Sequence, residues 1–142
     1  MPSARPNSGR MRIDKRPMRK CLQILFALAL ACGVQHAAAA TATTTNSVNV
    51  RAGPGKTFPT ASWFLSGTSV TVEGCLSDWQ WCDVSAGRDR GWVYARYLSY
   101  RFNDTVVTIQ RGGASLELPQ TEFALVPYWD AHFQNQIWYS RK

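Results

Sequence analysis

From Ser47 to Leu98, turn residues interrupt the chain roughly every eight to twelve residues, the punctuation of a small all-β barrel or sandwich. No stretch there sustains a helical period. Val48-Asn49-Val50-Arg51 alternates apolar and polar and stops at Gly53-Pro54-Gly55, where proline lacks a donor and glycine opens the turn. Ala61–Leu65 reads as a second strand, closed by Ser66-Gly67. Val70-Thr71-Val72-Glu73 alternates with its valines toward the core. Ser77-Asp78 opens a turn, and Trp81–Ser85 returns with Cys82 and Val84 on one face. A polar hairpin loop is expected over 86–90. Gly91–Tyr94 follows, with Val93 inward and Trp92 and Tyr94 on the other face. Ala95–Leu98 reads as a 3₁₀ turn that drops Leu98 into the core.

The N-terminal forty residues belong to a different class. Seven basic residues precede residue 21 and only Asp14 opposes them, so that segment holds +6 of the +7 formal charge. The uncharged run Cys21–Val34 is shorter than the roughly 20 apolar residues that span a bilayer. Together with the alanines at 37–40 it reads as a cleavable signal peptide over residues 1–40, cut after Ala38 to Ala40. Met1, Met11 and Met18 are all candidate starts, and Cys32 offers a less favoured lipoprotein reading. The product expected is periplasmic or secreted and does not span a membrane. Residues 41–47 (TATTTNS) read as a flexible polar lead-in with nothing to bury.

From residue 41 onward nine basic residues face eight acidic ones, so the domain lacks the positive footprint that nucleic acid requires. Export also changes the meaning of the cysteines. Cys21 and Cys32 lie in the leader, which leaves Cys75 and Cys82 as an even pair in an oxidising compartment. A disulfide is expected rather than zinc, since His132 is the one other soft ligand remaining in the mature chain.

Three motifs carry a resemblance: Asn49–Gly55 (NVRAGPG), Gly67–Val72 (GTSVTV) and Gly91–Leu98 (GWVYARYL), in that order. Together they resemble the bacterial SH3 (SH3b) family over about fifty residues. The stretch Gly74–Val84, with its two cysteines, looks like an exported subgroup, the YraI-like proteins, in which a Tyr- and Trp-rich extension follows the barrel. The resemblance implies a partly open SH3-like barrel of five to seven strands over 48–100. It also implies an accessory binding role, since some SH3b domains bind cell-wall peptides. The segment Gly91–Leu98 is similar to the end of eukaryotic SH3 domains, with Tyr97 in place of the groove tyrosine. Tyr94 stands where that pattern has proline, so proline-rich recognition is not expected.

Residues 101–142 read as an aromatic extension packing on the barrel. Thr105–Gln110 is a strand candidate, and Leu116–Pro119 a short edge strand. A short helix is expected over Tyr128–Gln134, with Pro127 at its first turn and Trp129 and Phe133 on one face.

Little in the chain points to catalysis. There is no nucleophile elbow, P-loop, dinucleotide fingerprint or EF-hand loop, and the carboxylates are scattered. A non-enzyme without cofactor or metal is expected, an undetected cell-wall hydrolase being the third choice. Binding is the better class, because Tyr and Trp supply contact area with few rotors to freeze. The candidate ligand-binding residues are Arg51, Trp79, Trp92, Tyr94, Arg96 and Tyr97, with the arginines able to fix a carboxylate. The competing reading packs Trp79, Trp81 and Trp92 into the core. The expected partner is a peptide or peptidoglycan. The alternative is an assembly protein that docks on an envelope partner through the C-terminal aromatics.

Overall fold

A computed structural model of the chain describes Ser3, Ala4, Gly9 and residues 39–141. The expected signal peptide, the lipidation candidate Cys32 and the alternative starts lie outside the described residues, apart from those few positions. Residues 38–142 form one compact unit.

The short alternating runs do become strands. These are β1 (Ala40–Thr44), β2 (Val48–Arg51), β3 (Thr60–Phe64), β4 (Ser69–Cys75), β5 (Trp81–Ala86), β6 (Asp89–Tyr94), β7 (Leu98–Phe102) and β8 (Thr105–Thr108). They form a single sheet in the order β3-β2-β6-β5-β4-β1-β7-β8, with every neighbouring pair antiparallel. The fold is all-β and SH3-like, with two short helices among the described residues, α1 (Ile109–Gly112) and α2 (Leu125–His132). A 3₁₀ turn at Ala95–Tyr97 delivers Leu98 fully buried, as the sequence implied. The main core gathers Val50, Phe64, Val70, Val72, Val84, Val93 and Leu98 from the inward positions of the strands.

The lead-in expectation is overturned. Residues 40–44 form β1, wedged between β4 and β7, with Ala42 opposite Val70 and Thr44 opposite Leu98. Ala42 and Thr44 are buried. Small side chains bring little apolar surface of their own, and here the neighbouring strands supply it. Thr44 meets its own polar requirement: its hydroxyl donates to the Leu65 carbonyl at 2.6 Å and accepts the Thr68 N–H at 2.9 Å.

Cys75 and Cys82 are direct partners in the β4–β5 ladder and form a disulfide. Closing so short a loop stabilises by about 2.5 kcal/mol in the chain-entropy account. Reduction is therefore expected to lower the urea midpoint by that equivalent without changing the far-UV spectrum. Unaltered stability after reduction would show that β4 and β5 alone hold the turn. Gly91 has a packing reason to be glycine, since a Cβ there would meet the Arg51 carbonyl at 2.6 Å.

The C-terminal extension departs from expectation in detail. The strand candidate at 105–110 ends at Thr108, and Ile109 turns into α1, fully buried. In place of an edge strand at 116–119 there is a 3₁₀ turn at Gly113–Leu116. A single parallel bridge, Cys75 to Gln120, follows it. Helix α2 starts three residues earlier than the Tyr128–Gln134 expectation, which still leaves Pro127 in the first turn, where no N–H is missed. Trp129, Phe133 and Trp138 are buried with Ala52 in a second, smaller core. The aromatics therefore complete the interior.

Candidate functional site

β2 and β6 pair at one position only, Arg51 opposite Trp92. Beyond it Asn49 and Tyr94 are next in register, but no ladder pair joins them. An open groove of about 640 Å³ occupies this side, lined by Asn46–Asn49, Arg51, Gly55 and Lys56 on one flank and by Trp81, Tyr94, Arg96 and Tyr97 on the other. Val48 lines it although its side chain is buried, so the strand's backbone forms part of the wall.

The aromatic flank is held from below. Trp81 and Tyr94 are register partners on β5 and β6, with ring centroids 5.5 Å apart. Tyr97 meets Tyr94 edge-on at 5.9 Å and keeps 37% of its surface exposed. The Tyr94 hydroxyl donates to Gln80 Oε1 at 3.1 Å, while Gln110 Nε2 donates to that same oxygen at 2.7 Å and to the Tyr94 hydroxyl at 2.9 Å. Asp78 accepts the Gln80 N–H at 3.0 Å and steadies the amide's own backbone. A side chain bonded in this way loses little freedom when a ligand arrives.

The opposite flank carries charge. Arg51 Nη1 donates to the Phe58 carbonyl at 2.9 Å, which orients the guanidinium along the 52–59 loop. Lys56 and Arg96 also line the groove, and among the described residues no carboxylate does. The groove therefore combines three cations with three aromatic rings, a surface suited to an extended ligand bearing an anion.

Of the six candidates from the sequence, Arg51, Tyr94, Arg96 and Tyr97 come together here. Trp79 does not. It sits in the 76–81 turn at φ 57°, and its indole lies 3.4 Å from where a Gly113 Cβ would stand. Gly113 itself has φ 49° and ψ −132°, a conformation open to glycine. Trp92 is also corrected: it is 1% exposed, covered by Phe123 at 5.6 Å and Tyr128 at 5.9 Å. The extension turns the sheet's second face into an interior at this point, which strand alternation alone does not reveal. The Trp92 indole N–H finds no hydrogen-bond partner there. Trp81 and Lys56 were missed. Trp81 was readable, since it alternates with Cys82 and Val84 and so faces outward beside Tyr94. Nothing in the sequence marked Lys56.

On the side of the sheet that the extension covers, Asp83 forms a buried charge cluster. The residue is 3% exposed, and its carboxylate accepts Arg90 Nη2 at 2.7 Å, Arg90 Nε at 3.1 Å and the Tyr128 hydroxyl at 2.7 Å. Glu73 adds a looser contact to Arg90 at 3.8 Å. Burial pushes the Asp83 carboxyl above its ordinary value, against the opposing pull of Arg90 and Tyr128. Burial, with the adjacent Asp83, drives the Tyr128 phenol far up, so it remains a donor. Partial burial and the Arg90 guanidinium hold the His132 imidazole below its ordinary value. This cluster fastens α2 to β5 and β6. Among the described residues no three His, Cys, Asp or Glu side chains gather as metal ligands, and no helix is long and apolar enough to cross a membrane.

Residues 46–99 match the family model of the bacterial SH3 domain. The match takes in β2 to β6, the Ala95–Tyr97 turn and all the residues that line the groove, and leaves β1, β8 and the C-terminal extension outside. No curated protein and no solved structure matches the chain. A bacterial SH3 domain points to a binding module.

Proposed function

We propose that this chain is an exported, non-catalytic envelope module of the YraI-like kind, and that its groove takes an extended peptide with a free carboxylate. A cell-wall stem peptide or an extended protein segment would supply that chemistry. The observation that carries the reading is the convergence of Tyr97, Tyr94 and Trp81 with Arg51, Lys56 and Arg96 on one open groove. The rings give apolar contact, and the cations fix the direction of the ligand. A shallow groove buries little area, so affinity is expected to be micromolar or weaker.

Export is supported by the basic and apolar N-terminal pattern and by the disulfide. Cleavage after Ala38 or Ala39 leaves β1 whole, whereas cleavage after Ala40 removes its pairing with Val72. The assembly alternative loses force, because Trp129, Phe133 and Trp138 are buried and cannot serve a partner.

The test is co-sedimentation of the oxidised protein with purified peptidoglycan sacculi. The wild type is expected to pellet, and Tyr97→Ala, in a folded protein, to weaken retention by at least about tenfold. A folded wild type that stays in the supernatant overturns the wall ligand. A Tyr97→Ala form that pellets like the wild type overturns the groove.

A further inference from the structure

All six tryptophans lie among the described residues, and five of them are packed or line the groove. Trp79 lies over Gly113, Trp81 on Tyr94, Trp92 under Phe123 and Tyr128, and Trp129 against Trp138. Trp63 is the exception, 62% exposed on β3, the strand that ends the sheet. Among the described residues no ring packs on its indole. A bare indole on an edge strand is a liability for a soluble protein unless something uses it.

Its surroundings narrow what that something is. Asn49 stands directly opposite Trp63 in the β2–β3 ladder, within side-chain reach. No described residue hydrogen-bonds the Asn49 amide. The sequence carries no charge from Thr57 to Val72, nor from Thr41 to Val50; threonine, serine and asparagine are frequent there, and Leu65, 60% exposed, stands two residues beyond Trp63. Of the cations that line the groove with Asn49, which are Arg51, Lys56 and Arg96, Arg51 donates to the Phe58 carbonyl.

We propose that Trp63 and Asn49 form a platform for a neutral saccharide. The apolar face of a pyranose ring lies flat on the indole, and the free amide donates to and accepts from its hydroxyl or acetamido groups. An anionic membrane surface would call for lysine or arginine beside the indole, whereas Arg51 and Lys56, which border these stretches, line the groove. Asn49 also lines the groove, so the platform and the groove adjoin. On the reading proposed above, one ligand with both a peptide and a sugar spans the two, although the platform itself does not depend on that reading.

The probe is a neutral β-1,4-linked trimer of N-acetylglucosamine, titrated into ¹⁵N-labelled oxidised protein. Saturable shifts are expected at the Trp63 indole N–H and the Asn49 side-chain amide. Trp63→Ala should weaken binding by at least about tenfold and Trp63→Phe by less, since phenylalanine keeps a smaller ring face. Both positions are at the surface, so the remaining spectrum serves as the control for folding. Tyr97→Ala should leave sugar binding unchanged, which separates failure of the platform from failure of the groove. The proposal is overturned by an absence of saturable shifts, by shifts that survive Trp63→Ala, or by a wild-type dimer in sedimentation velocity that Trp63→Ala dissolves.

Discussion

Arg90→Ala is expected to destabilise the protein by about 3 kcal/mol, the low end for breaking a buried ion pair because the guanidinium is one-third exposed. In a domain of this size that corresponds to a fall in Tm of more than about 12 °C. The loss comes from Asp83, whose buried carboxylate would keep only the Tyr128 hydroxyl. The effect should depend on pH with a definite sign. The folded Asp83 carboxyl already titrates above its ordinary value of 3.8, and removing Arg90 takes away part of what pulls it down. A raised carboxyl favours the folded state fully below its unfolded value, and that contribution fades as pH rises through the folded one. The deficit of Arg90→Ala should therefore be largest at neutral pH and narrow on acidification toward pH 4. His132 adds to the same trend, because Arg90 helps hold its imidazole below the ordinary value of 6.5; without Arg90 the imidazole charges at less cost as pH falls, which narrows the deficit further. Urea unfolding of both proteins across this range checks the prediction. A deficit that stays constant with pH would show that Arg90 acts through packing rather than through the Asp83 charge.

Trp129→Ala is expected to cost about 3–5 kcal/mol, the range for truncating a buried tryptophan. Trp129 is buried with Phe133, Trp138 and Ala52, and its indole N–H donates to the Ala52 carbonyl at 2.7 Å. The change opens a cavity and strips a buried acceptor of its donor at the same time. Trp129→Phe keeps most of the packing and loses the N–H, so it should cost less, about 1–3 kcal/mol for the orphaned carbonyl. Equilibrium urea unfolding of the three proteins gives both numbers. If Trp129→Ala costs under about 1 kcal/mol, in the range of surface changes, α2 is an appendage and not part of the core.

This dependence also marks where reading the chain alone stopped. The strands β2, β4, β5 and β6, the 3₁₀ turn that buries Leu98, and the Cys75–Cys82 pairing were all legible. Each is local: alternation, turn residues and a ladder register decide them within a few positions. Four groove residues were legible for the same reason, since Arg51, Tyr94, Arg96 and Tyr97 sit in motifs whose local geometry is stereotyped.

What the tertiary structure decided lies between segments far apart in the chain. β1 has little apolar surface of its own and is a strand because β4 and β7 close on it from either side. Trp92 alternates outward like Tyr94, yet Phe123 and Tyr128 arrive from more than thirty positions later to bury it, while Tyr94 stays half-buried and lines the groove. Whether an aromatic side chain is core or contact surface depends on what packs over it. Alternation names a residue's face of the sheet, and only the folded chain determines whether that face meets water or another segment.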